Sequence, residues 1–465
     1  MTSDNFIYKF ELGYPTADTV ELAYNNTDLS RAVEAYKFFY PTIVVEAFMQ
    51  AMPPSDIPNQ VGIKLAAGPR HQVFTAQSDT PYAAGTLDLK ADGPTVIELP
   101  PGTFIGFVND HNMCWVLDMG TIGPDKGQGG KHLILPPNYT GDIPPGYYVG
   151  RSETWKVLLV IRFLSPEGDI VKALQSLDRV KVYPLAKAGE AVTYRFVDLT
   201  NDTMTNKLLE WEDKLDYWQQ LKAVVDSETT PLEFRPMLGM LQSLGIEKGM
   251  PFNPDARTTS IFEEAAKRAI AEMRVNAYTN RDPERLVWND RDWEWIPLRQ
   301  FNTTTKDLGI AAFLDLQAAD SYHFLAIGAS AAIGKREVGA GSIYFVGLRD
   351  NTSAFLDGGK TYKLTVPGPV PARLFWSVTV YDIDTRSEIA TDQGRAAVRS
   401  LFEKPEPNPD GSIDIYFGPE ASVAKEEHWV KTIPGKGWFV GFRIYGPQAP
   451  VFGGTWRLND IVEMK

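Results

Sequence analysis

The stretch FVNDHNMCWVLDMGTIGPDKGQGGKHL, residues 107–133, gathers three aspartates, two histidines, a cysteine and a run of glycines. These residue types could hold a metal, cradle an anion on backbone amides, or supply a carboxylate pair for acid/base catalysis. A metal needs three or four converging ligands. His71, His111 and His132 with Asp79, Asp110 and Asp118 offer enough donors, but HExxH and short histidine repeats are absent. The loop GTIGPDKGQGGK carries Lys126 and Lys131, yet it has neither GxxxxGK[ST] nor GxGxxG. It therefore reads as a flexible lid or wide hairpin rather than a nucleotide loop. Asn109, Asp110, His111 and Asn112 fit a turn, because Asn and Asp bond their own backbone. Asp118, on the opposite strand face from Trp115, is expected to cap the glycine turn that follows. Cys114 has no disulfide partner, being the chain's only cysteine, and reads as a small buried hydrophobe.

Other polar residues stand out against apolar surroundings. Arg162 lies in VLLVIRFL and Arg443 in WFVGFRIYG. A buried guanidinium needs a carboxylate partner or an anionic ligand. Asp79 and Tyr82 stand at a turn into a strand. In FWSVTVYD, alternation puts Phe375, Ser377, Thr379 and Tyr381 on one face and Trp376, Val378, Val380 and Asp382 on the other. Gly328 to Ala332 (GASAA) lacks the second glycine of a nucleophile elbow and reads as close helix packing. The candidate catalytic groups are thus Asp79, Asp110, His111 and Asp118. Candidate substrate-binding groups are Tyr82, Trp115, Lys131, Arg162, Trp376, Asp382 and Arg443. In that constellation an Arg orients a carboxylate or sugar hydroxyl, Asp79 or Asp110 acts as acid or base, and Trp115 or Trp376 stacks on a ring.

These groups need elements to hold them. A chain of 465 residues exceeds one ordinary core and predicts two domains. A net charge of −13 without a long basic run argues against nucleic acid as a partner. No run of 18 apolar residues occurs, so membrane insertion is not expected. As written the chain reads as cytoplasmic, or as periplasmic or secreted if a leader was removed. Residues 1–67 form a helical lead-in, with apolar positions spaced three and four apart from Leu29 to Met49 and a kink or break expected at Pro41. Residues 68–165 switch to a period of two and predict an antiparallel β domain. Amphipathic patterns then mark a helical middle region over 166–335, including a helix over 308–333. Short strands with tight turns return over 336–465 and predict a jelly-roll-like sandwich. The expected class is α+β: two antiparallel β domains bridged by helices.

SDTPYAAGTLDL (78–89), WVLDMGTIGPDKGQGGKHLILPPNYTGDIPPGYYV (115–149), FWSVTVYD, NPDGSIDIYFGP and HWVKTIPGKGWFVGFRIYGP resemble the paired bacterial families known as domains of unknown function 1254 and 1214. His428 stands before Trp429 where those families usually carry Asn. The resemblance implies a jelly-roll-like C-terminal domain and a bacterial origin; it implies no reaction. The residues themselves lead to two expectations. One is a hydrolase or lyase acting on a small molecule or carbohydrate by carboxylate chemistry in an interdomain cleft. The other is a non-catalytic β-sandwich protein that binds a glycan or a partner through aromatic residues. No motif demands a cofactor; a divalent metal and a homo-oligomer stay open.

Overall fold

Thr16 accepts a hydrogen bond from the backbone of Thr19 and starts a 35-residue helix, Ala17–Ala51. Its buried stripe includes Val33, Tyr36, Tyr40, Ile43, Val44 and Ala47, at the expected spacing. The break expected at Pro41 does not occur. Buried side chains before and after the proline hold both halves of the helix in one core, and this packing overrides the missing hydrogen bond. In this computed structural model, the described residues are 8–52, 60–165, 167–190, 195–296, 315–330, 336–338, 341–421 and 426–464.

The N-terminal domain has two sheets. The larger runs in the order Arg195–Asp198, Gln60–Leu65, Tyr82–Asp88, Lys156–Phe163, Phe104–Asp110, Trp115–Gly120. The smaller runs Lys181–Pro184, Thr95–Leu99, Gly130–Leu135, Tyr147–Arg151. The C-terminal domain is a sandwich of two further sheets. One is ordered Trp293–Ile296, Ser342–Gly347, Trp438–Pro447, Ala372–Asp382, Ala397–Arg399; the other is ordered Trp429–Lys431, Ile413–Gly418, Tyr362–Val366, Val462–Glu463. Alternating residues such as Leu364, Ile415, Val378 and Phe442 fill the space between them.

The class is α+β, and its sheets are antiparallel except for three parallel pairs at sheet edges. Six strands lie outside the regions that read as β. Phe10–Glu11, Tyr14–Pro15 and Gln60–Leu65 fall in the lead-in, while Lys181–Pro184, Arg195–Asp198 and Trp293–Ile296 fall in the helical middle region. The latter three are four residues each, too short for a period of two to register. The helices Leu215–Ser227, Arg235–Ser243, Ala256–Tyr278 and Leu316–Leu325 pack with the long helix. Their core is continuous with Ala84 and Leu158 of one β domain and Val346, Tyr381 and Phe439 of the other. Among the described residues, no helix is long and apolar enough to cross a membrane.

Candidate functional site

Where the two β domains and the helices meet, they line a partly open cavity of about 160 Å3. Strand alternation decides what faces it. In Trp438–Pro447, Val440, Phe442 and Ile444 point into the sandwich, which leaves Phe439, Gly441, Arg443 and Tyr445 toward the N-terminal domain. In Ala372–Asp382, Trp376, Val378 and Val380 point inward, and Ser377 and Tyr381 cross to the N-terminal domain. In Lys156–Phe163, Val157, Leu159 and Ile161 fill their own domain, while Leu158, Val160 and Arg162 line the cavity.

The cavity wall is apolar except at one end, where Arg162 and Arg443 stand with Thr75, Gln77 and Tyr82. Arg162 Nε donates to Thr80 Oγ1 (3.0 Å) and Nη2 donates to the Tyr445 hydroxyl (3.1 Å). The Tyr445 hydroxyl donates in turn to Asp79 Oδ2 (2.9 Å), which also accepts from Ser377 Oγ (2.7 Å). Gln77 fixes the turn: its side chain accepts from the Thr80 amide and donates to Tyr82 Oη at 3.0 Å. Arg443 Nη2 donates to the Thr75 carbonyl (3.0 Å), whereas among the described residues its Nε and Nη1 meet no hydrogen bond of good geometry, although the Tyr381 side chain is adjacent. Each guanidinium lies over two tyrosine rings, Tyr82 and Tyr445 for Arg162, Tyr344 and Tyr381 for Arg443, at 5.3–5.6 Å.

The sequence called for a carboxylate partner or an anionic ligand here. Among the described residues neither arginine has a carboxylate within 4.0 Å, and Asp79 reaches Arg162 only through Tyr445. A second carboxyl, Glu388, is buried behind the same end. Burial pushes it up to about 7, with Arg399 opposing and the Asp79 charge reinforcing the shift. Among the described residues neither of its oxygens meets a hydrogen bond of good geometry, although the Ser78 side chain is adjacent. Arg399 is neutralised by Glu403 at 2.7 Å. Near pH 7 part of the Glu388 charge is thus withheld, and the cavity end stays net positive.

Four of the candidate residues therefore come together: Arg162, Arg443 and Tyr82 on the wall and Asp79 directly behind it. The others lie elsewhere. Asp110 folds back on its own turn, accepting from the Asn112 (2.8 Å) and Cys114 (2.9 Å) amides, and burial lifts its carboxyl to about 7. His111 is enclosed between Glu46 and Glu228. Trp376 stacks on Phe442 inside the sandwich. Asp382 caps the turn to Thr385 and pairs with Lys436 at 3.1 Å. Lys131 is exposed, 6.0 Å from the Tyr147 ring. His428 bonds only backbone, the Asp414 carbonyl and the Glu406 amide. The glycine turn is closed not by Asp118 but by Asp125, which accepts from the Gly120 amide at 2.7 Å and meets His132 Nε2 at 3.3 Å. The loop is hence an internally bonded crossover between the two N-terminal sheets, not a lid. Among the described residues no group of three His, Cys, Asp or Glu side chains could hold a metal.

Asp118 and Asn109 have a different task. Asp118 Oδ1 accepts from Trp115 Nε1 (3.0 Å) and Ser330 Oγ (2.7 Å), and Asn109 exchanges two hydrogen bonds with the Ala329 backbone, at 2.6 and 2.8 Å. They clamp residues 326–330, and Ala326 and Ile327 of that segment line the cavity. This segment is not helical; the helix spans Leu316–Leu325, and 308–314 and 331–333 lie outside the described residues. The chain is already extended at Ala326; Gly328 then takes the left-handed φ of +94°, and a Cβ there would sit 2.4 Å from the Phe107 ring. We expect Gly328→Ala to lose about 1–3 kcal/mol in a urea titration. A stability unchanged from wild type would mean the clamp is slack.

Tyr445, Tyr381, Tyr344 and Gln77 were missed from the sequence. Tyr445 had a signal: two residues beyond Arg443 in an alternating strand, it must share the arginine's face.

Fold and site define an α+β protein with a partly open cavity between two β domains and paired arginines at one end. The chain belongs to the families described as proteins of unknown function DUF1254, matched over residues 58–184, and DUF1214, matched over 341–449. The crystal structure of the VPA0106 protein from Vibrio parahaemolyticus shares the fold, with a TM-score of 0.57 at 18% identity, covering 94% of this chain and 100% of that one. An uncharacterized protein from Burkholderia cenocepacia aligns with a TM-score of 0.39 at 12% identity over 97% of this chain and 90% of that one. No curated protein matches.

Proposed function

We propose that this protein binds a small apolar molecule carrying one carboxylate, held in the interdomain cavity with the carboxylate at Arg162 and Arg443. The observation that carries this reading is the pair of guanidinium groups on an otherwise apolar wall, with no carboxylate in ion-pair range among the described residues. Such charges are costly unless a counter-charge arrives. Volume bounds the ligand: a cavity of about 150 Å3 admits benzene, and this one is about 160 Å3.

The hydrolase or lyase reading has less support. Among the described residues no carboxylate or imidazole lines the cavity, so Asp79 would have to act through Tyr445 or Ser377. Recognition of a glycan on an open aromatic face has less still, since Trp376 is in the core.

Isothermal titration of small carboxylic acids against their primary amides tests the proposal. Charge-assisted hydrogen bonds are worth about 1.5–3 kcal/mol. The acids should bind roughly 10- to 100-fold tighter than the amides, and Arg443→Met or Arg162→Met should abolish the difference. Equal affinity for acid and amide would refute it.

A further inference from the structure

Resting on the carboxylate reading, we propose that the apolar body of the ligand is a single aromatic ring, so that the ligand class is the arenecarboxylates. The wall is built from rings supplied by every part of the molecule. Phe48 comes from the long helix, Phe107 and Tyr82 from the N-terminal domain, and Tyr344, Tyr381 and Phe439 from the C-terminal domain. Aromatic side chains favour an aromatic guest through edge-to-face and offset contacts that a saturated ring cannot make. The rings are also fixed in place. Tyr381 stacks on Phe439 with centroids 5.1 Å apart and donates to the Ala76 carbonyl at 2.7 Å, and Tyr344 is hydrogen-bonded to Ser342 at 2.6 Å.

Size and stiffness point the same way. A volume near 160 Å3 matches one six-membered ring with its carboxylate. In an arenecarboxylate the ring and the charged group share one plane, so little torsional freedom is lost on binding. Gly441 keeps the charged end open to a flat group. A Cβ on it would come within 3.1 Å of Arg443 Nη1 and 3.2 Å of the Tyr381 ring, crowding both against the cavity.

The test uses the full chain and three probes of nearly equal size: benzoate, cyclohexanecarboxylate and benzamide, each titrated calorimetrically at one pH. Benzoate should bind about five- to tenfold tighter than cyclohexanecarboxylate, the yield of one or two aromatic contacts, and tighter than benzamide. Phe48→Leu should narrow the benzoate preference over the saturated acid while leaving the acid-over-amide preference intact. If the two acids bind equally, or the saturated one better, the aromatic inference is overturned and the carboxylate reading stands. If benzamide equals benzoate, or none of the three binds, the carboxylate reading falls and the inference falls with it. The ligand comparison on the unaltered protein decides the matter even if Phe48→Leu does not fold.

Discussion

Replacing Arg386 with methionine should lower the free energy of unfolding by roughly 3–5 kcal/mol, the usual loss when a buried ion pair is broken from one side. Arg386 is fully buried and joins all three parts of the molecule. Its guanidinium pairs with Glu212 at 2.7 Å and donates to the Tyr40 hydroxyl at 3.0 Å. It lies between the rings of Phe74 and Phe324, 4.2 and 4.3 Å from their centroids. Its carbonyl also accepts from the Thr75 amide at 2.8 Å, beside the cavity's charged end. Methionine keeps the length and apolar bulk but leaves the Glu212 carboxylate, 14% exposed, without its cation. Glu212→Gln in the Arg386→Met background should then recover part of the loss, because a neutral amide is cheaper to enclose than a lone charge. Urea titrations of the wild type, both single variants and the double variant measure the coupling. Losses that simply add would show that Arg386 acts through packing alone.

How much of this was legible in the sequence follows from the range over which each feature operates. The alternation of FWSVTVYD and WFVGFRIYG is local, and it correctly separated Trp376 and Val378 from Ser377. It also marked Arg162 and Arg443 as charges needing a counterpart. The contacts that make a site of them are not local. Tyr445 and Ser377 reach Asp79 across 366 and 298 residues, a juxtaposition that no spacing rule encodes. Such contacts depend on how two sheets face each other, which is settled only by packing.

The errors have equally specific causes. Asp118 and Asp125 both adjoin the glycine turn, and which of them reaches the Gly120 amide depends on the path of the loop. GASAA is rich in small residues, which suit a close-packed helix and a tightly clamped extended segment alike. The helix ends at Leu325 and Gly328 is left-handed, but a glycine's φ cannot be read from its one-letter code. Arg386 attracted no attention because its neighbours DTRSE are polar, as in any exposed turn, and its partners lie in distant elements.

His111→Leu should be comparably destabilising, and its dependence on pH is the sharper result. His111 Nδ1 lies 3.0 Å from Glu228 Oε1 and Nε2 lies 3.1 Å from Glu46 Oε2. This cluster ties the Phe104–Trp115 hairpin to the long helix and to the end of Leu215–Ser227. Burial works against the imidazolium, but the two carboxylates hold His111 above its ordinary 6.5. In return, against burial, contact with His111 brings Glu46 down from 4.5 to about 2 and lowers Glu228. A raised histidine stabilises the fold fully below about 6.5, and its contribution fades as pH climbs through the folded value. A depressed glutamate stabilises fully above about 4.5, and its contribution fades as pH falls toward the folded value. The cluster is therefore strongest between those limits, and the stability of the wild type should decline on both sides. Leucine removes the imidazolium and leaves two buried carboxylates, a loss of about 3–5 kcal/mol near pH 6. The variant should lack the alkaline decline. It should instead regain stability as pH is lowered from neutral, when its unpaired carboxylates take up protons before those of the unfolded chain. Urea midpoints from pH 4 to 9 measure both curves, and parallel curves would show that His111 is held neutral and serves only to fill space.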